Sequence, residues 1–195
     1  MMKKLRILSI AAMSLLLLTS CGESEITKAS AAAHYADKAS EASKYNATIV
    51  LEHTENVIKK KEQGDSSLQI NAFVTSQFLS RLAHYPVTTS TNGALVFCTE
   101  DFIAQVEAVA TDFNEELDYT FEDDELTIAF SGSKHSDDNT IGLAVAYTEV
   151  YNANGLLSSV TYTAAGTGDY NAEDEKSETE ILYSGTATFT WTKVA

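Results

Sequence analysis

From Ile141 to Tyr151 the chain alternates, with Ile141, Leu143, Val145 and Tyr147 set against Gly142, Ala144, Ala146 and Thr148. A period of two sends successive side chains to opposite faces of a strand, so this stretch predicts a β-strand with one face in a core. Thr186 to Thr192 repeats the pattern, placing Ala187, Phe189 and Trp191 on one face and threonines on the other. Asn152-Ala153-Asn154-Gly155 is a strong turn, and Leu156 to Ala164 returns from it. Such a pattern commits the second half of the chain to an antiparallel sheet, whose apolar face needs a cover.

The clearest cover is the stretch Glu100 to Leu117, where Phe102, Val106, Val109, Phe113 and Leu117 recur every three or four residues. Thr99 is its expected N-cap, and Glu100 and Asp101 suit the positive end of its dipole. A second helix is expected from Thr27 to Tyr45, rich in Ala, Lys, Glu and Ser without Gly or Pro, with Thr27 as cap. Ala47–Lys60 and Ser67–Thr75 are expected as two strands of a hairpin turning at Gln63-Gly64-Asp65, from the spacing of Ile49/Leu51 and Leu68/Ile70. Ser76 to Tyr85 predicts a short helix that stops before Pro86. Leu95–Cys98 predicts a short buried strand, and Tyr119–Phe121 with Leu126–Phe130 a tight hairpin. Gly166 to Thr179, acidic and Gly-containing, predicts a loop. Together these give an α+β fold: an N-terminal helix, one inserted amphipathic helix and a curved, mostly antiparallel sheet of seven or eight strands.

The N-terminus carries an address. Met1 to Arg6 is basic without acids, and Ile7 to Leu18 is an apolar run of the length of a secretory signal, too short to span a bilayer comfortably. Leu18-Thr19-Ser20-Cys21 resembles the lipobox of bacterial lipoproteins. The resemblance implies removal of residues 1–20, diacylglycerol on the Cys21 sulfur, a short lipidated tether over residues 21–26, and a single extracytoplasmic domain over residues 27–195. The protein is then expected outside the cytoplasm, held to a cell membrane by its acyl chains. Gly22 is not the Asp that resembles an inner-membrane retention signal, and the sequence leaves plasma and outer membrane both open.

The chain has 13 Lys and Arg against 28 Asp and Glu, a net charge of −15. Residues 100–195 hold 20 of the acids and only Lys134, Lys176 and Lys193 as bases. That balance argues against nucleic acid and against anionic headgroups as partners, and is the usual composition of a soluble exported domain. With Cys21 consumed by lipid, Cys98 is the one remaining thiol, so no internal disulfide is expected. It follows Ala94-Leu95-Val96-Phe97 and is read as a small buried hydrophobe.

Asp169, Asn171 and Glu173 place oxygen donors at alternate positions, and Glu180 is twelfth counting from Asp169. This resembles part of an EF-hand calcium loop, which implies calcium as the one candidate cofactor. The sixth position is Asp174, where that loop uses Gly, and Lys176 stands eighth, so the alternative is a solvated acidic loop. Ser131-Gly132-Ser133-Lys134 has the letters of the Ser-x-x-Lys nucleophile motif but sits at a strand end rather than a helix start. His34, His53, His84 and His135 have no metal-ligand spacing, and no phosphate loop, dinucleotide fingerprint or nucleophile elbow occurs. No enzymatic activity is expected. Tyr151 to Tyr162 is similar to one unit of the YD repeats of bacterial surface proteins, with Asn152 in place of the usual Asp.

An exported, lipidated chain that opens with an Ala-rich helix and continues as a meandering sheet resembles the LolA/LppX-like lipoprotein carriers. The resemblance implies a curved half-barrel and helices enclosing an apolar cavity, lined here by Phe73, Phe102, Phe113, Phe130, Tyr147, Phe189 and Trp191. The same side chains also suit an ordinary filled core. The expected function is accordingly a membrane-anchored, non-enzymatic lipoprotein binding an apolar small molecule or lipid. The alternative is a cell-envelope protein-interaction module with a filled core.

Overall fold

The computed structural model describes residues 26–59, 67–81, 89–137, 139–172 and 175–194. It is an α+β fold built on one open, curved, antiparallel sheet. The strands are β1 (Tyr45–Lys59), β2 (Ser90–Asn92), β3 (Asp118–Glu122), β4 (Glu125–His135), β5 (Ile141–Tyr151), β6 (Leu157–Ala172) and β7 (Glu175–Lys193), in the spatial order β2-β1-β7-β6-β5-β4-β3. Four helices accompany them: α1 (Lys28–His34), α2 (Ala39–Ala42), α3 (Ser67–Gln77) and α4 (Glu100–Asp112).

The alternating strand is β5, with the bounds its pattern gives, and its odd residues are buried. The β3–β4 hairpin turns on Asp123 and Asp124, both in the left-handed region, the conformation that matches strand twist in a two-residue loop. Thr99 caps α4 by accepting from the Phe102 N–H. Thr27 and Ser30 form a reciprocal capping box on α1.

Several expectations need correction. Ser67–Thr75 is helix α3, not a strand; the pattern that governs it is Ile70, Val74 and Phe78, all buried and four apart, rather than the two-residue spacing of Leu68 and Ile70. No hairpin therefore joins it to β1, whose partner is the distant β7, paired from Tyr45↔Lys193 to Lys59↔Glu180. The expected turn at Gln63-Gly64-Asp65 lies outside the described residues. Of the stretch Ser76–Tyr85, Ser76 and Gln77 end α3 and a 3-10 turn covers Leu79–Arg81, so no separate helix starts at Ser76; the rest lies outside the described residues. The N-terminal helix is interrupted by a 3-10 turn at Ala36–Lys38. Leu95–Cys98 is no strand but the end of a 3-10 turn followed by one bridge, Phe97↔Leu156. The inserted helix stops at Asp112, five residues short of Leu117, and Asn114 follows in the left-handed region.

The largest correction concerns Gly166–Thr179. The stretch is not a loop, because β6 and β7 continue as a ladder out to Ala172↔Glu175. Acid content and glycine gave it the composition of a loop, yet its described residues pair with the facing arm. Gly166 has a packing role. A Cβ there would lie 2.3 Å from the Ile70 Cγ2, so the missing side chain is what lets α3 lie down on β6.

Candidate functional site

The helix-facing side of the sheet has three zones, and the middle one is aromatic. Tyr147 on β5 pairs across to Phe130 on β4 and Tyr162 on β6. Phe78, at the end of α3, meets Phe113, Phe130, Tyr147 and Tyr162 at ring-centroid distances of 6.0 to 6.5 Å. Three of the side chains expected to line a cavity, Phe113, Phe130 and Tyr147, thus pack on one another and on Phe78. Such contacts contribute about 1 kcal/mol per pair beyond burial. Phe189 stacks on Trp191, whose indole N–H donates to the Leu157 carbonyl at 2.8 Å. Phe73 and Phe102 are half-buried at the margin of the core.

Below this zone is a polar group with no access to solvent. Glu149 is fully buried, and its two carboxylate oxygens accept from the Tyr147 hydroxyl at 2.5 Å and the Tyr151 hydroxyl at 2.8 Å. All three residues share the buried face of β5, two apart. Burial, with the Glu149 charge added, holds both phenols well above the ordinary tyrosine range. Cys98 is buried too, and desolvation followed by the Glu149 charge pushes its thiol up to about 12, so at neutral pH it is no nucleophile.

The third zone is the seam between α3 and β7. Thr179 and Tyr183 lie on the helix-facing row of β7, 1% and 4% exposed, and among the described residues neither hydroxyl has a hydrogen-bond partner. The Asn71 Oδ1 on α3 is buried and unpartnered as well. Ile70 and Val74 rest on Gly166, which pairs with Ile181, so α3 crosses at the level midway between Thr179 and Tyr183. At the C-terminal end of α3 the Lys134 ammonium donates to the Gln77 Oε1 at 2.8 Å.

Beyond β7 the seam opens onto β1. Glu55 pairs with Tyr183 and His53 with Gly185, and both side chains are exposed, as is Leu51 at 42%. Gly185 leaves room for the Tyr162 ring, which reaches over it so that the Tyr162 hydroxyl and the His53 Nδ1 hydrogen-bond. Burial, with Glu55 adding its charge, pushes the Tyr183 phenol up to about 12, so it is a neutral hydroxyl. The described polar groups along the seam are two hydroxyls that both donate and accept, one acceptor oxygen and a carboxylate at the rim. Sequence reasoning missed this site. Its only trace in the sequence is Tyr183 and Thr179, polar positions within an otherwise apolar row.

The sequence-derived candidates fall elsewhere. Cys21 and Glu173 lie outside the described residues. The backbones of Asp169 and Asn171 are extended in β6, facing Glu178 and Lys176 on β7, and Glu180 faces Thr167. Asp169, Asn171 and Glu180 thus lie on paired strands, and the residues between Ala172 and Glu175 lie outside the described ones. Among the described residues no cluster of three or more His, Cys, Asp or Glu is placed to hold a metal. Ser131 and Lys134 sit on opposite faces of β4, and Lys134 lies 4.5 Å from the Phe113 ring centroid. Two clefts lined by described residues, of about 380 and 160 Å³, are open and charged, the larger beside Lys28, Glu107 and Glu115 and the smaller beside Asp37, Glu41 and Lys193.

No family model matches the chain, and no curated protein matches it. Among solved structures, an uncharacterized protein from Rhizobium leguminosarum aligns over 73% of this chain and 82% of its own, at 8% identity and a TM-score of 0.17. A likeness that distant carries no argument about fold or function.

Proposed function

We propose that the protein is a non-enzymatic, extracytoplasmic binding lipoprotein, anchored through Cys21, that holds a small molecule in the seam between α3 and β7. The anchor rests on the basic head, apolar run and lipobox-like ending of residues 1–21. The binding role rests on one observation: the Tyr183 hydroxyl, buried and without a partner among the described residues, beside the exposed Glu55 and His53 of β1. A buried hydroxyl left unmade costs about 1–3 kcal/mol, and a fold that satisfies its other buried tyrosines has reason to keep such a cost where a ligand removes it. The aromatic zone is packed by its own side chains, so the seam, not the centre of the sheet, is the place for a ligand, and the ligand is amphipathic rather than a bare acyl chain.

Native mass spectrometry of the full chain extracted from membranes in mild detergent tests this. A stoichiometric adduct, released on denaturation and absent from Tyr183→Phe, is the expected result. A clean protein mass for the wild type would overturn it. Cys21→Ala should leave the adduct and abolish membrane retention; retention unchanged would remove the anchor.

A second reading, an envelope interaction module, is favoured by the edge of β1. Among the described residues β2 pairs with that edge from Asn46 to Thr48, the Ile49 N–H donates to the Thr89 carbonyl, and Val50 beyond is 57% exposed. A strand edge of this kind accepts another chain by added pairing.

A further inference from the structure

We propose that the ligand of the α3–β7 seam carries a protonated primary amine, which docks between Glu55 and the Tyr183 hydroxyl. The inference rests on the seam being the binding site and adds the ligand's class. It begins from the inventory of unpartnered atoms. The Tyr183 hydroxyl accepts as readily as it donates, and the Glu55 carboxylate that pairs across from it only accepts, so a donor-rich group completes both. An anion would be repelled by Glu55, whereas an ammonium brings three N–H donors on one atom.

Charge points the same way. On the helix-facing row of β1 the described ionisable side chains are Tyr45, His53 and Glu55; on that of β7 the seam presents Thr179, Ile181 and Tyr183. Lys134, on β4, is held at the C-terminal end of α3 by Gln77 and the Phe113 ring. Glu55 faces Tyr183 directly across the ladder, and the described basic residue of that β7 row, Lys193, is at its far end over the Tyr45 ring. Burial raises the Tyr183 phenol first, and the Glu55 charge adds to it. The ligand's apolar part then lies along Ala187 and Leu51, where the row continues without charge.

The test uses three probes of equal length on the full chain in detergent, after any endogenous ligand has been stripped: n-pentylammonium, pentan-1-ol and pentanoate, followed by titration calorimetry. Pentylammonium is expected to bind at one site about tenfold or more tighter than either alternative, the scale of one charge-assisted hydrogen bond. Glu55→Gln, an exposed substitution that leaves the fold intact, should erase that preference. Tyr183→Phe should weaken the amine by about tenfold with the alcohol little changed. If the alcohol or the carboxylate binds as tightly as the amine and loses affinity in Tyr183→Phe, the amine assignment falls while the seam stands. If no probe shows binding that depends on Tyr183, both fall.

Discussion

Two sets of buried tyrosines share the helix-facing side of this sheet, and they are treated in opposite ways. On β5, Tyr147 and Tyr151 close on Glu149, which accepts from both at 2.5 and 2.8 Å in full burial. On β7, Tyr183 is also buried, though nearer the surface, yet its hydroxyl and that of Thr179 have no partner among the described residues. The first set is closed and lies under the aromatic zone. The second borders a rim that opens to β1. A satisfied buried polar group specifies the fold, because every member is needed by the others, whereas an orphaned one at a rim is poised for something that arrives.

Breaking the closed set should have the largest effect. Glu149→Ala leaves two buried phenols without an acceptor and is expected to cost about 4 kcal/mol in denaturant unfolding, from about 1–3 kcal/mol per unsatisfied group together with the cavity. A loss below about 1 kcal/mol would mean the tyrosines repartner.

The same set makes an alkaline prediction. Tyr147 and Tyr151 titrate well above 10 in the folded protein, so their stabilisation is complete below the ordinary tyrosine pKa and is lost as pH rises above it, where only the unfolded chain ionises. Stability measured from pH 9 to 12 should approach a slope of about 2.7 kcal/mol per unit from the two groups. A flat profile to pH 11 would count against their burial.

Between the two sets lies α3, seated on Gly166. Gly166→Ala drives a methyl into the Ile70 Cγ2 and should cost about 2 kcal/mol, the scale of overpacking, with ligand affinity falling as the α3 flank of the seam shifts. Unchanged stability together with unchanged binding would place α3 outside the site.

The smallest effect is expected at the far end of α3, where the Arg81 guanidinium hydrogen-bonds Asp112 on α4 and holds that carboxyl below its ordinary range. Its contribution is present above the ordinary carboxylate pKa and fades as pH falls through the lowered one. Being half-exposed and screened, the pair is worth under about 1 kcal/mol, so Asp112→Asn should be nearly silent in 0.5 M salt.

What was legible in the sequence is what local patterning controls. The period of two in Ile141–Tyr151, the caps at Thr27 and Thr99 and the turns at Asp123-Asp124 and Asn152–Gly155 each write their geometry into a few adjacent residues. The errors arise where the partner is remote. Ser67–Thr75 alternates well enough to mimic a strand, and only the fit of Ile70 and Val74 to Gly166, some ninety residues on, makes it a helix that matters. The Gly166–Thr179 stretch has the composition of a loop because its pairing, residue against residue to Ala172↔Glu175, supplies what its side chains do not advertise. The seam combines both difficulties. Asn71, Tyr183 and Glu55 come from three elements, and no spacing along the chain joins them.

The most direct test of the account compares two single-atom deletions, Tyr147→Phe and Tyr183→Phe, by equilibrium denaturation of the full chain stripped of bound molecules. Removing the satisfied hydroxyl should cost about 2 kcal/mol, and removing the orphaned one should change stability by less than about 0.5 kcal/mol or raise it. A Tyr183→Phe loss as large as that of Tyr147→Phe would show that the hydroxyl belongs to the fold, and the seam would lose its claim to a ligand.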